Sequence, residues 1–146
     1  ISLSTDIIVG FPSETDEDFA ATMELVGFAD FDHAFSFVYS ARPGTPAAKL
    51  HDGIPLDVKK QRLQILQDRV RARGAEVSRD MVGTTQRVLV ERLARKDAGQ
   101  VAGRPDNNRW VNFPAETDLI GQFVDVKITE ALPNSLRGEL LTHSVA

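Results

Sequence analysis

The sequence predicts an α+β composite, a βαβ unit followed by a small all-β barrel of the OB type, and three observations carry that reading. A β-branched run, Ile7–Val9, meets a turn and a helix start at once, and a second strand-like stretch, Ala34–Tyr39, comes one helix later. Residues 57–80 keep a helical apolar stripe. From Val82 the period changes to alternation, and five short strand-like segments follow in about 60 residues, the size of an OB-type barrel.

Ile7, Ile8 and Val9 suit a strand covered on both faces. Gly10-Phe11-Pro12 ends it, because Gly lets the backbone pass close to a ligand and Pro cannot continue the hydrogen-bond ladder. Ser13 or Thr15 can cap the next helix, and Glu14, Asp16, Glu17 and Asp18 put negative charge at its positive end. Phe19, Met23, Val26 and Gly27 recur at helical spacing, which predicts an amphipathic helix over 14–28 with an acidic solvent face. Ala34–Tyr39 would pair parallel to the first strand through a right-handed crossover. The stiff loop Ser40–Pro46 would then emerge at the same carboxyl end as the Gly10 loop, where α/β units bind ligands. Two loops therefore converge on one candidate site.

Pro55 and Asp57 open the long helix, in which Val58, Leu63, Leu66, Val70, Val77 and Met81 hold the stripe despite Gly74. Its other face is basic, with Lys59, Lys60, Arg62, Arg69, Arg71, Arg73 and Arg79, and a charged run of this kind is usually a solvated face. The change of period sets two domains, 1–80 and 81–146. In the second, Thr84–Leu93, Gln100–Gly103, Trp110–Phe113, Phe123–Thr129 and Leu136–Leu141 read as strands, with a turn at Lys96–Gly99.

Residues 1–80 hold nine basic against thirteen acidic side chains, and residues 81–146 hold eight of each, so net charge argues for neither a nucleic acid nor a membrane partner. There is no Cys, which excludes disulfides and thiolate metal sites from this chain, and His33, His51 and His143 show no ligand spacing. No apolar run approaches a membrane span and the start lacks a signal-peptide pattern, so a cytoplasmic location is expected. Ile1 in place of Met, directly before a buried strand, suggests a piece of something longer, and leaves Ile7–Val9 as an exposed strand edge.

Four stretches resemble a known family: Asp6–Thr15 (DIIVGFPSET), Phe35–Ala47 (FSFVYSARPGTPA), Gly103–Pro114 (GRPDNNRWVNFP) and Leu119–Leu140 (LIGQFVDVKITEALPNSLRGEL). In this order they look like the C-terminal half of the radical S-adenosylmethionine methylthiotransferases, most of all those that add a methylthio group to dimethylallyl-adenosine beside the tRNA anticodon. The resemblance implies the last β/α units of a partial radical-SAM (β/α)6 barrel followed by an OB-like TRAM barrel that binds tRNA. It also implies S-adenosylmethionine and two 4Fe-4S clusters in the intact enzyme. The cluster cysteines would belong to a missing N-terminal half, so this chain alone is expected to be inactive, with no catalytic or metal residue of its own. Two positions depart from the family pattern, Ser13 where Gly is usual and Ala41 where Pro is common.

Gly10, Phe11 and Pro12 fit either part of the S-adenosylmethionine pocket or an ordinary strand-to-helix turn. Tyr39 and Ser40 end the second strand, where backbone groups could meet the adenine, though Tyr39 fits a core position equally. Arg42 suits the cofactor carboxylate, a tRNA phosphate or plain solvent. Arg104, Asn107, Asn108, Arg109 and Trp110 combine amides, guanidinium groups and an aromatic ring, the chemistry of phosphate contact and base stacking, while Trp110 alone also fits a core. Asn134, Ser135 and Arg137 in a Pro-containing loop could add phosphate contacts. Two other functions compete: a stand-alone RNA-binding module, and a sister methylthiotransferase acting on a ribosomal protein or on threonylcarbamoyl-adenosine. The Asn107–Phe113 stretch favours the dimethylallyl-adenosine enzyme over the sisters.

Overall fold

The computed structural model describes residues 1–141, so the last five residues of the predicted second domain, His143 among them, lie outside the described residues. Two compact units are present, Ser2–Gly74 and a second from Ala75 onward.

In the first unit β1 (Ser4–Val9) pairs parallel with β2 (His33–Val38), Ser4 opposite His33 and Val9 opposite Val38. Between them α1 (Asp16–Ala29) supplies the crossover. Of the two candidate caps it is Thr15 that acts: its hydroxyl accepts from the Asp18 N–H at 3.1 Å while the Asp18 carboxylate accepts from the Thr15 N–H at 3.0 Å. Those bonds hold the Asp18 carboxyl below its usual range. A short 3₁₀ turn, Pro46–Lys49, precedes the long α2 (Leu56–Met81). Val9, Phe19, Val26, Leu66 and Val70 form the core, with Ile7, Ala34 and Val38 packed on it, so one face of the sheet lies against helices.

Two expectations fail here for a physical reason. The strands are not covered on both faces among the described residues: Ile8, Phe35 and Phe37 are 57%, 69% and 56% exposed, because both helices pack on the opposite, Ile7/Val9 side. Nor is the basic face of α2 wholly solvated. Lys59 and Arg62 are buried, at 5% and 7% exposure, and carry carboxylate partners with them. The sheet of this unit is the single parallel pair β1-β2 expected of the last two barrel strands, and a pair alone does not show a radical barrel.

Ser13 has φ 74°, in the left-handed region that disfavours a Cβ. Ser13→Gly should therefore stabilise the first unit by about 1 kcal/mol, read as a higher urea midpoint at unchanged slope; an unchanged or lower midpoint would show that no strain is relieved.

The second unit is a closed five-stranded barrel of order β3-β4-β5-β7-β6, built from β3 (Thr85–Leu93), β4 (Gln100–Arg104), β5 (Val111–Pro114), β6 (Phe123–Ala131) and β7 (Leu136–Leu140). All pairings are antiparallel except β5 with β7. Val88, Val90, Val101, Val111, Phe113, Val126, Ile128 and Leu136 fill the interior. Gly103 permits the wall to close: a Cβ there would stand 2.6 Å from Val88 Cγ1 and 2.9 Å from the Leu89 carbonyl carbon. A bulge interrupts β3, with Val90 opposite Gly103 and Arg92 opposite Ala102, so Glu91 is extra. Among the described residues no helix is long and apolar enough to cross a membrane.

Candidate nucleic-acid interface and strand-end loops

The bulge builds the more distinctive surface. Val88 and Val90 point into the barrel, so strict alternation would send Arg92 inward as well. The extra residue shifts the phase, and Glu91 and Arg92 emerge together on the outside. There the Arg92 guanidinium carbon lies 3.8 Å from the centroid of the Trp110 ring and that of Arg104 lies 4.7 Å from it. Arg104 also grips Glu91 with two donors, Nε at 2.6 Å and Nη2 at 2.8 Å. These hydrogen bonds, with the charges of Arg104 and Arg92, hold the Glu91 carboxyl below its usual range against the opposing effect of burial. Arg92 Nε is buried and has no hydrogen-bond partner among the described residues, so this guanidinium is held by its stack on Trp110.

The β4–β5 loop is pinned to the end of α2. Asn107 donates to Met81 Sδ, and its carbonyl oxygen accepts from the Arg109 N–H at 3.4 Å. Arg109 Nε donates to Ser78 Oγ at 2.8 Å. Asn108 sits at φ 63°, a conformation Asn tolerates better than most residues, and is exposed. The β6–β7 loop lies alongside, because the Leu136 N–H donates to the Trp110 carbonyl at 2.7 Å and Arg137 is the register partner of Asn112. Asn134 is exposed, Ser135 half-buried, and Arg137 sits 3.7 Å from Glu130. The barrel topology thus gathers all eight predicted RNA-contact residues onto two adjoining loops and the strand ends that flank them, Arg104 of β4 and Arg137 of β7. Sequence reading missed Glu91 and Arg92, which complete the stack.

At the carboxyl ends of β1 and β2 the predicted cofactor residues also cluster. The Tyr39 N–H donates to the Val9 carbonyl at 2.8 Å, and the Phe11 and Tyr39 rings meet edge to face with centroids 5.4 Å apart. Gly10 has φ 75°, and a Cβ there would stand 2.5 Å from Lys59 Cγ, so what passes close to this glycine is a lysine stem from α2. Lys59 Nζ bonds to Asp52 and lies 5.5 Å from the Tyr39 ring centroid. The Gly10 N–H donates to Glu14 Oε1 at 3.1 Å, and Arg62 clamps Glu14 at 2.8 Å and Asp16 at 2.9 Å. Pro12 is fully buried, Phe11 is 45% exposed, and Ser40 and Arg42 are exposed, with the Arg42 carbonyl accepting from Thr45 Oγ1. Lys59 and Arg62 were not legible as partners of the Gly10–Glu14 loop, since 48 residues separate Arg62 from Glu14.

No group of three His, Cys, Asp or Glu side chains that could hold a metal ion occurs among the described residues, and with no Cys in the chain the donor set does not fit an iron–sulfur cluster.

Residues 79–141 match the TRAM domain family, and the closed barrel is consistent with that OB-like module. Over 140 residues the chain is 61% identical to a tRNA-2-methylthio-N(6)-dimethylallyladenosine synthase of Hahella chejuensis, a match that covers 95% of this chain and 31% of that protein. It is 59% identical over 140 residues to the protein of the same name from Coxiella burnetii (96% and 32%). With that of Chromohalobacter salexigens the identity is 60% over 142 residues (96% and 32%). The chain carries a TRAM domain and spans about a third of the length of the curated relatives it matches.

Proposed function

We propose that this chain is the tRNA-holding third of a radical S-adenosylmethionine tRNA methylthiotransferase acting on dimethylallyl-adenosine. The carrying observation is the extent of the match: one match at about 60% overall identity covers 95% of the chain and so reaches the first unit as well as the TRAM segment, which a free-standing RNA-binding module would not require. In this reading the barrel presents Arg92, Trp110 and the loops 104–110 and 132–137 to the anticodon stem-loop. Phosphate contact falls to the arginines and amides of these loops, Arg109, Arg137, Asn108 and Asn134, while Arg104 holds Glu91.

The first unit would be the last β/α portion of the catalytic barrel. Phe11, Tyr39, Ser40 and Arg42 form its cofactor-facing rim, while Gly10 and Pro12 shape the loop from behind. S-adenosylmethionine held there would supply the radical, with the electron coming from a cluster ligated outside this chain, and a second S-adenosylmethionine would supply the methyl group. This chain supplies orientation, with the Arg62–Glu14 pair fixing the Gly10 turn. The iron–sulfur clusters need ligands from elsewhere in the whole enzyme, which acts in the cytoplasm on tRNA.

A chimera tests this. When the corresponding third of the Hahella chejuensis protein is replaced by this chain, the reconstituted enzyme should convert dimethylallyl-adenosine in tRNA to its methylthio form, seen by mass spectrometry of digested tRNA. A folded, cluster-loaded chimera that yields no methylthio product, beside an active parent, would overturn the assignment. Transfer to threonylcarbamoyl-adenosine or a ribosomal protein instead would move the chain to a sister enzyme.

A further inference from the structure

We infer a second base-stacking platform on the barrel, formed by Phe123 and Arg87, that takes an unpaired nucleobase of the same RNA strand; the inference rests on the RNA-binding reading above. Phe123 opens β6 and is 57% exposed, a large aromatic surface left in solvent. The Arg87 guanidinium carbon lies 4.8 Å from its ring centroid, so the two form a flat aromatic–cation pair like the one at Trp110. Leu89 is the register partner of both Phe123 and Arg104. Phe123, Leu89 and Arg104 therefore make one row across β6, β3 and β4 on the outer wall. Two strand spacings put the Phe123 and Arg104 positions about 10 Å apart, a separation that one extended strand of nucleotides can bridge.

Charge and topology select the occupant. Asp125 is the register partner of Arg87, and Glu91 pairs with Arg104, so acidic neighbours offset both cations. The surface offers flat faces more than net positive charge, which suits bases better than phosphates. An extended peptide gains little here, because the barrel is closed and leaves no free strand edge for main-chain pairing. Stacking without net charge also has a signature of its own: it changes affinity without changing the dependence on salt.

The experiment measures binding of the 146-residue chain to a fluorescein-labelled, 5-iodouridine-substituted octauridylate by anisotropy across a salt series, followed by photocrosslinking and mass spectrometry. Phe123→Ala should weaken binding about ten-fold at every salt concentration with an unchanged slope, and Phe123→Trp should restore it. In the unaltered chain crosslinks should fall on both Trp110 and Phe123. Should Phe123→Ala bind like the parent, or crosslinks fall on Trp110 alone, the second platform is overturned while the RNA reading stands. If the unaltered chain fails to bind, or the Trp110→Ala and Phe123→Ala variants both bind like the parent, the two fall together. The crosslink decides the matter even if the alanine variant melts early.

Discussion

Gly103→Ala should lower the stability of the barrel by about 3 kcal/mol, the upper end of what overpacking costs. For a domain of this size that is a fall on the order of 15 °C in Tm. The added methyl would meet the Leu89 carbonyl group and Val88 Cγ1 at distances no real Cβ tolerates, and one of these neighbours is backbone. A flexible side chain could swing aside, but the Leu89 segment cannot, because it also pairs with Phe123 on its other side. Relief would have to come from opening the β3–β4 ladder, where Val90 pairs with Gly103 and Leu89 with Arg104. A variant melting within a few degrees of the parent would show that the wall can spread at this point.

Trp110→Ala should reduce affinity for an anticodon stem-loop by roughly 10- to 100-fold, the range expected for loss of an aromatic stacking partner. The ring supports two guanidinium groups at once, so its removal frees Arg92 and leaves Arg104 held by Glu91 alone. The effect is thus larger than one lost contact. Trp110→Phe should recover most of the affinity, which separates loss of the platform from loss of the fold, and filter binding beside a thermal melt reads both. Full affinity in a folded Trp110→Ala variant would move the RNA contact away from this surface.

Much of the architecture is legible in the residues because its signals are local. The β-branched Ile7–Val9 run, the helix start with Ser13 or Thr15 as its cap and the change of period from Val82 each lie within a few residues. The five barrel strands fall where alternation places them, and the loop at 104–110 reads as polar and aromatic. What escapes depends on pairing across the chain. Arg92 continues the inward phase of Val88 and Val90, and an unpaired Arg inside a small barrel is costly enough that the phase break is the only comfortable solution. That signal was present, but only register shows which side Arg92 takes. Lys59 and Arg62 look like members of a solvated stripe until Asp52, Glu14 and Asp16 are brought against them. Arg87 and Phe123 are more than thirty residues apart and meet only through the β3–β6 pairing.

That pairing has a kinetic meaning. Among the described strand pairs of the barrel, β3 with β6 joins the segments farthest apart in the chain, about 40 residues at Thr85 with Lys127, so it carries the largest loop-closure entropy. Its hydrogen bonds gain nothing until the intervening hairpins have brought the two ends together. Phe123 and Arg87 straddle this seam, and their stack exists only once the barrel has closed. Partial opening along the seam would erase the platform while leaving both hairpins intact, so amide exchange at Val88 and Val124, which face each other across it, would report the fraction of molecules competent to bind.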